Sequence, residues 1–207
     1  LFISKGNKER QIKTSVKFRQ NLDTFQHNAR RHAFGEMLLQ VNQAPQAVIA
    51  LLEGVVLGGG FGLACISDVA LCLSSCRFGL PETSLGVIPA QIAPFIVQRL
   101  GMTQARRLAV TGGRFDGHKA LHIGLVHECC EDVSELEAKL NETLVAIDKC
   151  APNALQKTKA LVLSLNPKDL SEALDQAAVD FAEAARSEGM EGFSAFIEKR
   201  PAAWQKK

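Results

Sequence analysis

The pattern of apolar and polar positions divides the chain into short strands and helices, followed by a helical tail. Residues 47–53 form a β-branched and aliphatic run, which predicts a buried strand that leads toward a run of glycines. A short helix is expected over residues 61–67, and residues 69–73 predict a second buried strand. This alternation, followed by helices, indicates the α/β fold class.

Helical periodicity dominates the remaining sequence. A helical stripe begins at Asn21 and stops at Pro45, while residues 1–20 form a basic, atypical N-terminal segment with weak periodicity. Gly101 is expected to separate two helices. The other predicted strands cover residues 76–78 and 125–127, and the predicted helices cover residues 92–100, 103–110, 115–124, 133–150, 153–165 and 170–186, with a last turn around 193–199.

Composition and charge limit the classes of partner. The 207 residues are 46% hydrophobic and 22% charged, which fits one folded domain with an appendage. A net charge of +2 is too small to favour nucleic acid or an anionic membrane as the main partner. Residues 47–66 are long and apolar enough to raise the question of a membrane span, but their five glycines favour a strand, a turn and a helix. We therefore expect no nucleic-acid and no membrane partner.

The cysteines and the first residues predict a cytoplasmic protein. None of the six cysteines forms a Cys-x-x-Cys pair, and adjacent Cys129 and Cys130 are poorly placed to bridge each other, so we expect free thiols. The first residues lack the long apolar stretch of a secretory signal. His118 and His122 lie on one predicted helical face, but metal-ligand spacing with an acid is absent, and no metal site is predicted.

A glycine run is the clearest candidate for chemistry. Gly58, Gly59, Gly60 and Gly62 lie between an apolar strand and a predicted helix. Glycines let a ligand approach the main chain, and free N–H groups at a helix start stabilise negative charge. The run therefore predicts an oxyanion site, with a tightly packed turn as the alternative. It is not a phosphate loop, because no Gly-Lys-Ser/Thr or Gly-x-Gly-x-x-Gly motif completes it.

Glu82 is the candidate acid–base group. It follows Pro81 and precedes the apolar residues Leu85, Val87 and Ile88. A carboxylate in apolar surroundings suits proton exchange with a substrate. The alternative is an ordinary loop or helix-start glutamate. Asp68 is interpreted as a turn or cap acid rather than a catalyst.

Several motifs follow one another in an order and spacing typical of one family. They are Gly-Val-Val-Leu-Gly-Gly-Gly at 54–60, Asp68, Phe-Gly-Leu-Pro-Glu at 78–82, Leu-Gly-Val-Ile-Pro at 85–89, Leu-Ala-Val-Thr-Gly at 108–112, and Ala120 with Gly-Leu-Val at 124–126. From about Asn42 to the C-terminus, the chain resembles the crotonase superfamily of enoyl-CoA hydratases and isomerases.

That resemblance implies a crotonase-like spiral of ββα turns. The crotonase core would cover residues 21–132, and residues 133–207 would form a helical region that assembles a homotrimer or hexamer. The substrate would be an acyl-CoA thioester, with coenzyme A as part of the substrate and no separate cofactor. By the same resemblance, Gly59 and Glu82 are catalytic, and Gly58, Gly60 and Gly62 are substrate-binding.

Two departures point to one branch of the family. The hydratases carry a second catalytic glutamate where this chain has Gly62, and a loop that is commonly Pro-Gly-x-Gly-Gly is Pro-Ala-Gln-Ile-Ala-Pro-Phe at 89–95. Both features resemble the hydratases of 3-methylglutaconyl-CoA and isohexenylglutaconyl-CoA, which act in leucine and acyclic-terpene breakdown. Glycine at position 62 is expected to open volume and to remove a negative charge, which would favour a substrate with its own distal carboxylate.

Other substrate contacts and the first turns of the fold also follow from the resemblance. Ala90, Gln91 and Phe95 are assigned to the substrate site, with helix core as the alternative for Phe95. Phe196 and Lys199 resemble a C-terminal segment that contacts coenzyme A across a subunit boundary, with a frayed basic tail as the alternative. The family's first ββα turns have no counterpart in residues 1–20, so we expect this sequence to be part of a longer protein, with a truncated chain as the alternative.

The sequence therefore predicts a hydratase in which Glu82 is both general base and general acid and Gly59 donates to the thioester oxygen. Two alternatives stay open. The first is an enoyl-CoA isomerase with a single catalytic glutamate, and the second is a non-catalytic crotonase-like binding protein.

Overall fold

The computed structural model describes residues 2–4, 10–11, 28–165 and 170–205. The predicted helix start at Asn21 and most of the basic segment lie outside these residues. The strands are β1 Phe2–Ser4, β2 Arg10–Gln11, β3 Ala47–Leu52, β4 Val55–Leu57, β5 Val69–Leu73, β6 Arg77–Gly79, β7 Arg114–Phe115 and β8 Glu128–Cys130. The α-helices are α1 Asn28–Asn42, α2 Gly59–Ile66, α3 Ala93–Thr111, α4 Gly117–His122, α5 Val133–Asp148, α6 Pro152–Ser164, α7 Leu170–Arg186 and α8 Glu188–Ile197. Short 3-10 helices cover Pro81–Leu85 and Ala203–Gln205.

The described strands form two sheets. The larger has the order β2-β1-β3-β5-β8, in which β3, β5 and β8 run parallel and β1 is antiparallel to both of its neighbours. The smaller has the order β4-β6-β7, with β4 parallel to β6 and β7 antiparallel to β6. Parallel strands joined through helices are typical of α/β folds, so the predicted fold class is confirmed.

Apolar packing joins the small sheet to α2. Phe61 of α2 and Phe78 of β6 are fully buried. Phe115 of β7 stacks on Phe78 with ring centroids 5.7 Å apart and meets Phe61 edge-on at 6.2 Å. Aromatic pairs at these distances and orientations are favourable. The start of α2 is therefore held firmly against the strands that precede and follow it.

The longer predicted elements are confirmed, and several short ones differ. Strands β3 and β5 and the interruption at Gly101, which has φ 70° and ψ 163° within α3, agree with the prediction. The predicted strand at 125–127 is wrong, because β8 begins at Glu128. The N–H groups of Leu125 and Val126 both donate to Ala120 O, so they close α4 instead of joining the sheet.

The C-terminal helices pack on the larger sheet and on one another. Leu136 and Leu140 of α5 cover Ile49 and Leu71 of the sheet. The side chain of Asp132 accepts a hydrogen bond from the Glu135 N–H at 2.9 Å and caps α5. No helix in the described ranges is both long and apolar enough to cross a membrane.

Candidate active site

The parallel strands β4 and β6 bring the glycine run and Glu82 to the same place. Leu57, the last residue of β4, lies opposite Gly79, the last residue of β6. Because adjacent parallel strands end at one edge of a sheet, the segments that follow them meet there. Gly58 comes directly after β4, and Glu82 lies in the 3-10 helix that follows β6. The sheet thus joins two groups that are 24 positions apart in the sequence.

Gly58 turns the chain into α2 and leaves the helix start open. It has φ 51° and ψ −118°, a conformation that favours glycine, and no side chain caps the helix at this position. The Gly62 N–H donates to Gly58 O at 3.1 Å. This is the first hydrogen bond of the helix, and the N–H groups of the residues before Gly62 have no partner within the helix. The N–H groups of Gly59 and Gly60 are therefore positioned to bind an oxyanion.

The carboxylate of Glu82 lies against this glycine turn. Its Oε1 is 3.5 Å from the position that a Cβ on Gly58 would occupy. Its Oε2 is buried and has no hydrogen-bond partner in the described part of the chain. A buried carboxylate oxygen without a partner is costly, and such groups are typical of sites that bind a ligand or a water molecule. Glu82 and the open start of α2 thus face one location.

The 3-10 helix that carries Glu82 is fixed from both sides. The Thr83 hydroxyl donates to Ala109 O in α3 at 2.9 Å, and the Ser84 hydroxyl donates to Pro81 O at 2.7 Å. Val87 N–H donates to Glu82 O at 3.0 Å, and Leu80 is fully buried just before the turn. These bonds hold the backbone of Glu82 in place, so the fold sets the direction of its carboxylate.

Apolar side chains surround the first turn of α2. Phe34 Cζ in α1 lies 2.9 Å from the position of a Cβ on Gly59. A Cβ on Gly62 would lie 2.6 Å from Ile92 Cγ2 and 3.3 Å from Leu38 Cδ1. The expectation that glycine at position 62 opens volume is therefore wrong, because Ile92 and Leu38 already fill that space. Gly62 is itself buried and packs against these side chains.

The other predicted substrate residues are distributed over two regions. Ala90 is exposed in the loop before α3, and the partly buried Phe95 packs on the hydrophobic core. The Gln91 side chain accepts a hydrogen bond from the Gly35 N–H in α1. Phe196, which is 84% exposed, lies in the last turn of α8, and Lys199 lies in the turn that follows α8. The structure thus brings together the glycine turn and Glu82, and it places Phe196 and Lys199 at the C-terminal end of α8.

Sequence reasoning missed Phe34 as a neighbour of the site. Phe34 carried an apolar signal as part of the helical stripe that ends at Pro45, but nothing local indicated that it would meet the glycine turn. Asp68 pairs with the Lys159 ammonium at 2.7 Å and accepts the Val48 N–H at 2.7 Å. These contacts give Asp68 a structural role between the large sheet and α6.

Burial shifts the pKa of the Cys65 thiol and of the His127 imidazole. All six cysteines are free, and burial raises the pKa of the Cys65 thiol to about 12. A thiol with so high a pKa is a poor nucleophile at neutral pH. Burial, and then the neighbouring Arg99, lower the pKa of His127. Within the described ranges, no three His, Cys, Asp or Glu side chains are grouped to hold a metal ion.

Comparison with known proteins supplies the family. The sequence matches the Enoyl-CoA hydratase/isomerase family over residues 16–207. The chain belongs to this family. Solved structures of similar proteins superpose on this chain, so the predicted crotonase fold is confirmed.

Individual relatives agree with this membership. The solved structure of Pseudomonas aeruginosa AtuE is 55% identical, with a TM-score of 0.84 over 86% of this chain and 69% of that one. A probable enoyl-CoA hydratase of Bacillus subtilis is 31% identical over 169 residues, which are 80% of this chain and 66% of the relative. The mitochondrial Delta(3,5)-Delta(2,4)-dienoyl-CoA isomerase of Dictyostelium discoideum is 30% identical over 183 residues, which are 87% of this chain and 61% of the relative. The chain therefore spans about two thirds of the length of these proteins.

Proposed function

We propose that this protein hydrates the 2,3 double bond of a 3-branched glutaconyl-type enoyl-CoA, such as 3-methylglutaconyl-CoA or isohexenylglutaconyl-CoA. The observation that carries this proposal is the buried Oε2 of Glu82, which has no partner among the described residues and lies beside the open start of α2. The carboxylate of Glu82 can exchange a proton, and the N–H groups at the start of α2 can stabilise the negative charge that forms on a thioester oxygen. Coenzyme A enters as part of the substrate, and no separate cofactor takes part.

Glu82 performs both proton transfers in the proposed reaction. Its carboxylate takes a proton from water while the water oxygen forms a bond to C3. The electron pair of the double bond moves toward the thioester, and the Gly59 N–H donates a hydrogen bond to the resulting enolate oxygen. Glu82 then returns the proton to C2, so water is added and the carboxylate is regenerated. A preorganised donor of this kind contributes roughly 3 kcal/mol to the transition state.

The branched substrate class is supported by the surroundings of the glycine turn. Phe34, Leu38 and Ile92 supply an apolar wall, and Ile92 occupies the space in which a side chain at position 62 would lie. Because position 62 is a glycine and not a glutamate, a substrate with a distal carboxylate meets the carboxylate of Glu82 at the reacting carbons without a second acid beside it. Arg114 is exposed and packs along Gly79 at the same end of the small sheet, so it is available to pair with that carboxylate.

The direct test is a panel of CoA thioesters given to the full-length protein. We expect hydration of 3-methylglutaconyl-CoA or isohexenylglutaconyl-CoA and weaker turnover of linear enoyl-CoAs. Glu82→Gln should lower kcat by about 10²- to 10⁴-fold, because the proton-transfer group is lost, while thioester binding is kept. Glu53→Gln, at an exposed position after β3, is the matched control. Unchanged turnover by Glu82→Gln would refute the proposal.

The second candidate is an enoyl-CoA isomerase. A single carboxylate beside an oxyanion site suffices to move a double bond, and the Dictyostelium relative is named as an isomerase. Reaction in ¹⁸O-labelled water separates the two activities, because hydration places the label in the product and isomerisation does not. Thioester binding without any turnover would instead support a non-catalytic binding protein.

The same proposal includes the assembly and the compartment. We propose a homotrimer or hexamer in the cytoplasm. Large apolar side chains are exposed on the C-terminal helices, where Phe181, Phe193, Phe196 and Ile197 are 57–84% exposed. Burial of such side chains between subunits would be favourable. Light scattering of the full-length protein gives the subunit number, and a monomer would refute this part.

A further inference from the structure

The side chain of Gln91 connects the loop before α3 to the middle of α1. Its Oε1 accepts a hydrogen bond from the Gly35 N–H at 2.7 Å, although the two residues are 56 positions apart. A Cβ at position 35 would collide with that same oxygen. The close approach therefore requires glycine at position 35, and it fixes the distance between α1 and the loop.

The residues next to this hydrogen bond are the ones that contact the first turn of α2. Phe34, which precedes Gly35, places its ring against Gly59. Ile92, which follows Gln91, packs against Gly62. One side-chain hydrogen bond thus lies between the two apolar contacts that enclose the proposed oxyanion donor.

We propose that Gln91 is a positioning residue, which holds the Phe34 ring over the start of α2 and so excludes water from the N–H groups of Gly59 and Gly60. Such N–H groups stabilise a developing oxyanion best in a dry, preorganised site. Loss of the Gln91 oxygen would release α1 and let water bind to the N–H groups of Gly59 and Gly60. The catalytic consequence rests on the proposed function, whereas the structural connection does not.

The first measurement is residue-resolved amide hydrogen exchange on the full-length protein. In Gln91→Leu, which keeps the bulk and removes the acceptor, exchange at Gly35 should accelerate by up to about tenfold, as expected for loss of one hydrogen bond. Exchange at residues 59–61 should accelerate as well, because water then reaches N–H groups that have no partner within the helix. Gln91→Glu keeps an acceptor oxygen and should exchange as the wild type does. Gln98→Leu, at an exposed position in α3, is the matched control. Phe34→Leu should accelerate exchange at residues 59–61 and leave Gly35 unchanged.

The second measurement is the steady-state rate with the thioester that the wild type converts. An oxyanion contact acts mainly in the transition state, so Gln91→Leu should lower kcat by about tenfold with little change in KM, and Gln91→Glu should restore it. The proposal is overturned if Gln91→Leu accelerates exchange at Gly35 but not at residues 59–61, or if kcat stays at the wild-type value. A wild type that converts no thioester refutes the proposed function, and the exchange rates then still decide whether Gln91 holds Phe34 in place.

Discussion

Gly62→Ala should destabilise the protein although it places a good helix former in a helix. Position 62 is buried within α2, where replacing glycine by alanine ordinarily stabilises by about 1 kcal/mol. Here the added Cβ would lie 2.6 Å from Ile92 Cγ2 and 3.3 Å from Leu38 Cδ1, so one of the neighbours must move. Overpacking of this kind costs about 1–3 kcal/mol. Set against that gain, we expect a net loss of up to about 2 kcal/mol in the free energy of unfolding.

A double-mutant cycle with Ile92→Ala isolates the contact. Ile92→Ala alone should cost about 2–5 kcal/mol, because Ile92 is 4% exposed and its removal leaves a cavity. In that background Gly62→Ala should be neutral or stabilising, which gives a coupling free energy of about 1–3 kcal/mol. Urea denaturation followed by circular dichroism supplies the four free energies.

Gly60→Ala is the matched control in the same helix. A Cβ on Gly60 would approach no atom closer than Val56 Cγ1 at 3.8 Å, which is ordinary van der Waals contact. This variant should be neutral or stabilising in either background. The packing argument would be refuted if Gly62→Ala and Ile92→Ala were additive within about 0.5 kcal/mol.

Three further predictions use the same stability measurement. Gly58→Ala places a side chain at φ 51° and should lower the free energy of unfolding by about 1–2 kcal/mol, and an unchanged value would contradict the backbone argument. Lys159→Met removes the 2.7 Å ion pair with Asp68, in which the Lys159 side chain is 10% exposed. The free energy of unfolding should fall by about 1–3 kcal/mol. A negligible change would show that the pair does not stabilise α6. Because burial and Arg99 lower the pKa of folded His127 below its usual 6.5, the unfolded chain binds the proton more readily, and stability should fall as the pH drops below that value. His127→Asn should reduce this loss, and identical pH profiles for the variant and the wild type would refute the assignment.

The parts of the fold that the sequence predicts are those with long, unambiguous signals. Strands β3 and β5 are aliphatic runs of six and five residues, and Gly101 interrupts a helical pattern. Strands β4 and β7 have three and two residues, and only their pairing with β6 defines them as strands. A segment of that length carries too little periodicity to be assigned before its partner is known.

The site shows the same division between local and distant information. Glu82 and the glycine run were predictable because each carries its own chemical signal, and two parallel strands bring them together. The role of Gly62 was not predictable, because a glycine leaves a void only if nothing packs against it. Ile92 lies 30 positions away and fills that space. The hydrogen bond between Gln91 and Gly35 also carries no local signal, because the two residues are 56 positions apart.

The interruption at Gly101 divides α3 into two segments that support different sides of the site. The first segment follows Ile92, which packs on α2, and the second contains Ala109, whose carbonyl holds the turn of Glu82. The contact of Ile92 with α2 and the bond that holds the turn of Glu82 therefore both depend on the angle between these segments. Gly101 has a positive φ, which glycine adopts without strain, and the buried side chains of Ile96 and Ala105 pack the two segments against the core. A substitution at position 101 would shift these two supports relative to each other without altering Glu82 or the glycine turn.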